Sequence, residues 1–336
     1  MSSRALLNAQ ISQSKDAFMN LQTSHEFPVC LVIVYLGAWP VWIEYFFASC
    51  RRNPGFHWRI FTDCVPTTEP PDNVFIHQIT GSQLESRANG IPGVLFKLHH
   101  NYKICDLKPL YGHLFAEELK HYRFWGYSDI DVIFGQLGHF ISKEELEHYD
   151  VITASGSIIA GHFTIFRNAE YLQVLYRQYD RLSEMLLAYD CEAFDEKAFA
   201  SIVLAEGASG RLRLSQKSMQ TDDCIINWSG RPRFLIAWWN GTVVDLFGFR
   251  ELGYYHFIKT KYSNKFRVLP FTQGSFFVAT QSRIRSVSVA ADWIWLLWEI
   301  ARCLFATTPW YIKRLLRCCI PRSLGNRRSG PPAGMS

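Results

Sequence analysis

The run Val29-Cys-Leu-Val-Ile-Val-Tyr35 limits the possible folds more than any other stretch of this chain. It has seven residues, no charge and several β-branched side chains. Such a run marks a strand buried on both faces, and strands of that kind belong to parallel sheets covered by helices on either side. The next segments agree. Residues 39–52 read as a helix ended by Asn53-Pro54-Gly55, residues 58–62 as a second strand closing on Asp63, and residues 73–77 as a third. Alternation of this kind predicts an α/β fold, a mostly parallel sheet with helices on both faces. Further on, Ser142 with Glu145 three residues later predicts a capped helix over 142–149. Residues 151–153 read as a strand and 169–189 as helical. Asn240-Gly241 reads as the two-residue turn of a hairpin over 234–246.

The chain has 336 residues, 48% apolar and 19% charged, which describes a globular protein with one large domain and an appendage. Its net charge of +5 is unevenly spread. From Gln281 on there are nine Lys/Arg against two Asp/Glu, so the first 280 residues carry a net −2. The basic character belongs to the tail, and no nucleic-acid partner is expected for the body. Nine cysteines are scattered with no zinc-type spacing, and residues 1–27 are polar. Reduced thiols in a cytoplasmic protein are the expectation. The expected organisation is a polar segment at 1–27, a main domain at 28–280, a basic amphipathic helical region at 281–320 and a disordered tail at 321–336. Residues 292–306 are apolar nearly all round, and a basic stretch with Lys313, Arg314 and Arg317 follows. That pattern suits a helix lying in a membrane surface or one docked on the protein's own core.

The chemistry concentrates in Phe124-Trp-Gly-Tyr-Ser-Asp-Ile-Asp-Val-Ile-Phe-Gly135. Here Asp129 and Asp131 interrupt an apolar run where a strand ends. In extended backbone, alternate side chains face the same side, so both acids can meet one cation while Ile130 packs behind. Carboxylate oxygens suit Mg²⁺ or Mn²⁺. Ionised groups within a buried run are costly unless something pairs with them.

Tyr102-Lys-Ile-Cys-Asp-Leu-Lys-Pro109, followed by that motif, resembles a bacterial family of GT-A-type, nucleotide-sugar-dependent glycosyltransferases found among polysaccharide-building enzymes. The likeness extends loosely from about Val29 to about Lys261. It implies a GT-A-like, Rossmann-type sheet and transfer of a sugar, a hexose foremost, from a nucleotide-diphosphate donor to a saccharide or lipid-linked saccharide hydroxyl. The implied setting is the inner face of the cell membrane, where cell-surface polysaccharide is made. The resemblance implies Asp131 as a metal ligand, with Asp129 on the ribose or on the metal directly or through water. It implies His256 as a further ligand and Lys259 on the diphosphate. It implies Lys103, Asp106 and Lys108 around the donor; Asp63 stands at the carboxyl end of a strand, where ligands gather, and His162 is a candidate hydrogen-bond partner of donor or acceptor. Asp195 is placed as a helix N-cap, and either Asp195 or Glu196 is a candidate general base. Gly161, beside His162, allows close backbone approach.

Two other readings compete. Asp-x-Asp at a strand end with Lys217 and Asp222-Asp223 superficially matches a haloacid dehalogenase-type phosphatase, although Val132 stands where such enzymes favour Thr. The other is a catalytically silent sugar-nucleotide-binding protein of the same fold.

Overall fold

A computed structural model of the chain describes residues 29–156, 158–217, 219–222, 234–248, 250–272, 276–288, 292, 294–306 and 308. The expectations for residues 1–27, for Asp223 and for the 321–336 tail lie outside the described residues.

The centre is a seven-stranded sheet of β1 (Val29–Tyr35), β2 (Phe56–Thr62), β3 (Val74–Gln78), β4 (Phe124–Ser128), β6 (Val151–Thr153), β7 (Phe163–Arg167) and β8 (Leu214–Gln216), ordered β3-β2-β1-β4-β7-β6-β8. Only β7 runs against the others. The mostly parallel α/β sheet read from the sequence is therefore present. The alternation along β1 shows why it is buried on both faces. Val29, Leu31 and Ile33 enter one core with Phe46 and Phe47 of the helix Ile43–Arg51. Cys30 and Val32 enter the opposite core with Leu107, Leu110 and Phe115. The connections run outward from β1 to β3 and then return to β4 on the other side of β1. In open α/β sheets a crevice opens at such a reversal, beyond the carboxyl ends of the strands.

Two smaller sheets follow. One holds β5 (Val132–Phe134), β13 (Tyr254–His256) and β9 (Gln220–Asp222). The other is ordered β12-β11-β10-β15-β16-β14, with β10 (Ile236–Trp239), β11 (Thr242–Asp245), β12 (Arg250–Leu252), β14 (Arg267–Val268), β15 (Phe276–Ala279) and β16 (Arg283–Val287). The β10–β11 hairpin turns at Asn240 (φ 50°) and Gly241 (φ 92°), as its Asn-Gly pair requires.

The helix Lys143–His148 starts with the capping box of Ser142 and Glu145. The segment read as one helix over 169–189 is broken into Glu170–Gln173, a 3₁₀ turn Leu175–Gln178 and Leu182–Leu187. Its apolar positions are buried nonetheless, among them Leu172, Tyr176 and Leu186.

The helical residues 294–306 dock through Trp295, Leu296, Ile300 and Cys303 on Leu235, Phe247 and Val278 of the second sheet. Ile294, Leu297, Trp298, Leu304 and Phe305 stay exposed, Phe305 at 87%. At 100° per residue these five share an arc of about 120°. One face of this helix thus packs on the protein and the other carries large apolar side chains outward. Among the described residues no helix is long and apolar enough to cross a membrane.

A candidate metal centre at the end of the fourth strand

Backbone pairing assembles this site. β4 ends at Ser128, and Asp129, Ile130 and Asp131 bridge to β5. β5 pairs antiparallel with β13, placing His256 opposite Val132, beside Asp131. Phe257 N–H donates to Asp131 O (3.2 Å), Asp129 N–H to His162 O (3.2 Å), and Trp42 Nε1–H to Ile130 O (3.0 Å). Residues more than a hundred positions apart are thereby fixed against one another. One ligand atom each from Asp129, Asp131 and His256 lies within 4.8 Å of the others.

These acids open onto a cavity of about 400 Å³ at the carboxyl ends of β1 and β4. Its walls include Tyr35, Trp42, Tyr102, Lys108, Lys261 and Tyr262. Asp131 is 2% exposed. Lys261 Nζ donates to Asp131 Oδ2 at 2.5 Å, and His256 Nε2 lies 3.4 Å from the same oxygen. Burial alone would raise the Asp131 carboxyl, but His256 and Lys261 outweigh it and hold it well below the usual carboxylate range. Lys261 is likewise held above the ordinary lysine value, because Asp131 outweighs its burial. The donor set of two carboxylates and an imidazole suits a hard or borderline divalent cation. Asp131 already carries one positive partner, the Lys261 ammonium, as a stand-in charge.

A second cation sits across the acids. Lys108 Nζ donates to Asp129 Oδ1 (2.6 Å) and Gly161 O (2.8 Å) and lies 3.3 Å from Asp195 Oδ2. Asp195 is buried at 3% exposure and is not itself on the cavity wall, to which Lys108 joins it. Burial pushes its carboxyl up to about 6, against Lys108 and with help from Glu196 and Asp129. Glu196 is exposed, and its Oε1 accepts from Gly161 N–H at 3.2 Å. A methyl group on Gly161 would stand 2.5 Å from Asp195 Oδ2 and 2.7 Å from Glu196 Cγ. The close approach expected at Gly161 is to this acidic loop.

Several residues fall elsewhere than the sequence reading placed them. Lys103 and Asp106 are fully buried and do not line the cavity. Lys103 Nζ donates to Asp106 Oδ2 (2.9 Å), Met185 O (2.8 Å) and Asp190 O (2.8 Å). Asp106 in turn accepts from Glu192 N–H and Phe194 N–H, both at 3.0 Å. The pair braces the loop that leads to Asp195. The cause is the 3₁₀ form of Asn101–Leu110, in which side chains three apart eclipse one another. Lys103 and Asp106 share its inner face, and Tyr102, Cys105 and Lys108 share the face toward the cavity.

His162 is also buried. Its Nε2 meets Tyr254 Oη at 2.9 Å and its ring stacks on His256 at 4.2 Å, so it supports His256. Asp63, at the end of β2, accepts from Gly37 N–H at 2.7 Å and is not on the cavity wall. Asp195 is no N-cap, since the following helix Ala198–Ala208 begins after Lys197 without a side-chain cap. Lys259 is exposed and not on the cavity wall, whereas Lys261 lines the cavity and pairs with Asp131. The turn Thr260–Tyr262 that brings Lys261 round left no sequence signal beyond a second lysine after His256. Lys217 pairs with Glu145 and donates to Phe140 O (3.1 Å), away from Asp129 and Asp131, which removes the lysine that the phosphatase reading needs.

The fold and site together define a mixed α/β protein with a candidate Asp-Asp-His cation centre beside a cavity. The chain belongs to DUF6625, a family of unknown function whose model matches residues 31–286. No curated protein matches it. Among solved structures it is similar to the galactosyltransferase LgtC in complex with donor and acceptor sugar analogues, at 8% identity and TM-score 0.36, over 68% of this chain and 87% of that one. It is also similar to the glycosyltransferase GlyE of Streptococcus pneumoniae TIGR4, at 13% identity and TM-score 0.30, over 57% and 45%. A third is mouse xyloside xylosyltransferase 1, at 8% identity and TM-score 0.27, over 57% and 78%. Likenesses this low say nothing about the chemistry of this chain.

Proposed function

We propose that the protein is a metal-dependent glycosyltransferase of GT-A type that moves a sugar, foremost a hexose, from a nucleotide-diphosphate donor to a hydroxyl of a saccharide or lipid-linked saccharide. The observation that carries this reading is the convergence of Asp129, Asp131 and His256 beside the cavity, with Lys108 on Asp129 and Lys261 on Asp131. Asp129, Asp131 and His256 would hold Mn²⁺ or Mg²⁺, which when bound neutralises charge on a leaving diphosphate. The motif's resemblance to nucleotide-sugar enzymes supports the same class.

The chain's own residues divide the remaining work. Tyr35, Trp42, Tyr102 and Tyr262 offer aromatic walls to the donor. Lys261 supplies a positive charge to the diphosphate, a role the sequence suggested for Lys259. His162 keeps the His256 ring in place. Asp195 takes the proton of the acceptor hydroxyl, and a carboxyl near 6 is largely ionised at neutral pH and still basic enough to accept it. Lys108 fixes the spacing between Asp129 and Asp195.

The exposed face of 294–306 supports a further placement, on the inner surface of a cell membrane where polysaccharide is assembled. The 30 residues beyond position 306 carry six Lys/Arg and no Asp/Glu, a composition that suits anionic headgroups.

The test is release of nucleoside diphosphate from a panel of UDP- and GDP-sugars in Mn²⁺. Turnover of one donor, abolished in Asp131→Ala and by chelation, is the expected result. Phosphate release from a phosphomonoester without any sugar-nucleotide turnover would replace this reading with a phosphatase. Tight nucleotide binding without turnover would replace it with the silent binding protein.

A further inference from the structure

The segment that enters the 3₁₀ helix is laced to the chain that leads to Asp195. Lys97 N–H donates to Leu186 O (3.4 Å), His99 Nε2–H to Leu187 O (3.1 Å) and His100 Nε2–H to Tyr189 O (2.9 Å). Both imidazoles lie against the Tyr189 ring, with centroids 5.2 Å and 5.4 Å away. The Tyr189 side is open nonetheless, the residue being 66% exposed. Asn101 and Tyr102, the next two residues after His100, line the cavity, and Tyr102 is 65% exposed. A ledge of open rings therefore leads from the cavity wall onto the loop whose far end is Asp195.

Open rings on a pinned backbone are costly to leave in water, and little freedom is lost when a ligand covers them. A pyranose presents the matching surface, a flat face of C–H groups with hydroxyls at its rim. Asp190 and Glu192, both exposed on the same loop, can accept from those hydroxyls and repel an acidic sugar. Asp106 holds the loop through Glu192 N–H and Phe194 N–H, so Tyr189 and Asp195 keep a fixed spacing.

We propose that this ledge binds an uncharged saccharide chain of two or more rings, whose end enters the cavity while its inner rings lie along Tyr102 and Tyr189. The inference rests on the transferase reading and narrows its acceptor, which is an oligosaccharide rather than a single sugar. The ring that reacts is chosen at the cavity, and the rings behind it supply the affinity on the ledge.

The test is isothermal titration of the full chain with linear oligosaccharides of one to four rings, from glucose, galactose, mannose and N-acetylglucosamine series, without and with Mn²⁺ and UDP. For at least one series the affinity should rise about fivefold with each added ring, roughly the worth of one aromatic contact. Tyr189→Ala should lose that gain with its melting point unchanged, and Tyr189→Phe should keep it. Binding of no member, affinity independent of length, a gain retained in Tyr189→Ala, or tighter binding of a uronate-bearing tetrasaccharide would each overturn the proposal. Donor turnover by the parent protein is measured separately. If turnover is absent while the ledge binds as expected, the transferase reading falls and the saccharide ledge stands.

Discussion

The 3₁₀ helix Asn101–Leu110 carries a lysine on each of two faces, and the two lysines have opposite surroundings. On the inner face Lys103 meets Asp106 with both side chains sealed from solvent. Lys103 also donates to Met185 O and Asp190 O, and Asp106 accepts from Glu192 N–H and Phe194 N–H, so the pair holds the chain leading to Asp195. On the outer face Lys108 meets Asp129, whose side chain is 30% exposed and borders the cavity. Residue type alone does not make a Lys–Asp pair a site. What distinguishes the second pair is an open side, competing partners and a neighbour, Asp195, whose carboxyl is pushed up by burial.

The largest effect that should expose this difference is on stability. Asp106→Ala leaves the Lys103 ammonium buried without its counter-charge and two N–H groups without an acceptor, so unfolding in urea should show a loss of about 3–5 kcal/mol. If the variant is as stable as the parent, the inner pair is not the brace described here. Lys108→Met should behave in the reverse manner. Its loss of stability should be the smaller one, because Asp129 is partly open to water and Asp195 can take up a proton, while donor turnover falls about 10²-fold, or roughly 2.7 kcal/mol in barrier. A large fall in melting point with turnover retained would show that the two faces had been assigned the wrong way round.

The pH profile refines the outer face. Asp195 must be ionised to accept a proton, so turnover should fall about tenfold per unit as pH drops below about 6. Lys108 lowers the Asp195 value, so in Lys108→Met the limb should move to higher pH. A profile flat from pH 5 to 8, or an unmoved limb, would remove Asp195 from the base role. The smallest effect on chemistry belongs to the far end of the molecule. Trp298→Ser with Phe305→Ser should leave turnover of a soluble donor unchanged and reduce sedimentation with phosphatidylserine-containing vesicles severalfold. Equal sedimentation of both proteins would disconnect the exposed helix face from membranes.

Much of this was legible in the sequence. β1 read as buried on both faces because no residue in 29–35 is charged, and its neighbours alternate as parallel-sheet strands do. Asp129 and Asp131 stood out because they break an apolar run, and His256 followed from the resemblance. The errors share a physical origin. The residues 101–110 do not announce whether their turn takes 3.6 or 3.0 residues, and that difference decides whether Tyr102 stands about 120° from Lys108 or eclipses it. Lys259 was preferred to Lys261 because it stands three residues after His256, the spacing the resemblance suggested, whereas the turn Thr260–Tyr262 brings Lys261 to Asp131 instead. The second sheet was visible only as its Asn240-Gly241 hairpin, since its other strands are two to five residues long and carry little periodicity.

The central claim is that Asp129, Asp131 and His256 together hold a divalent cation, and titration of Mn²⁺ into the purified protein, followed by electron paramagnetic resonance, tests it most directly. The account predicts a single Mn²⁺ per chain, bound more tightly when a nucleoside diphosphate is present, and lost in Asp131→Ala and in His256→Ala with the fold intact by circular dichroism. Absence of Mn²⁺ binding in the parent protein, or binding unchanged in Asp131→Ala, would contradict it.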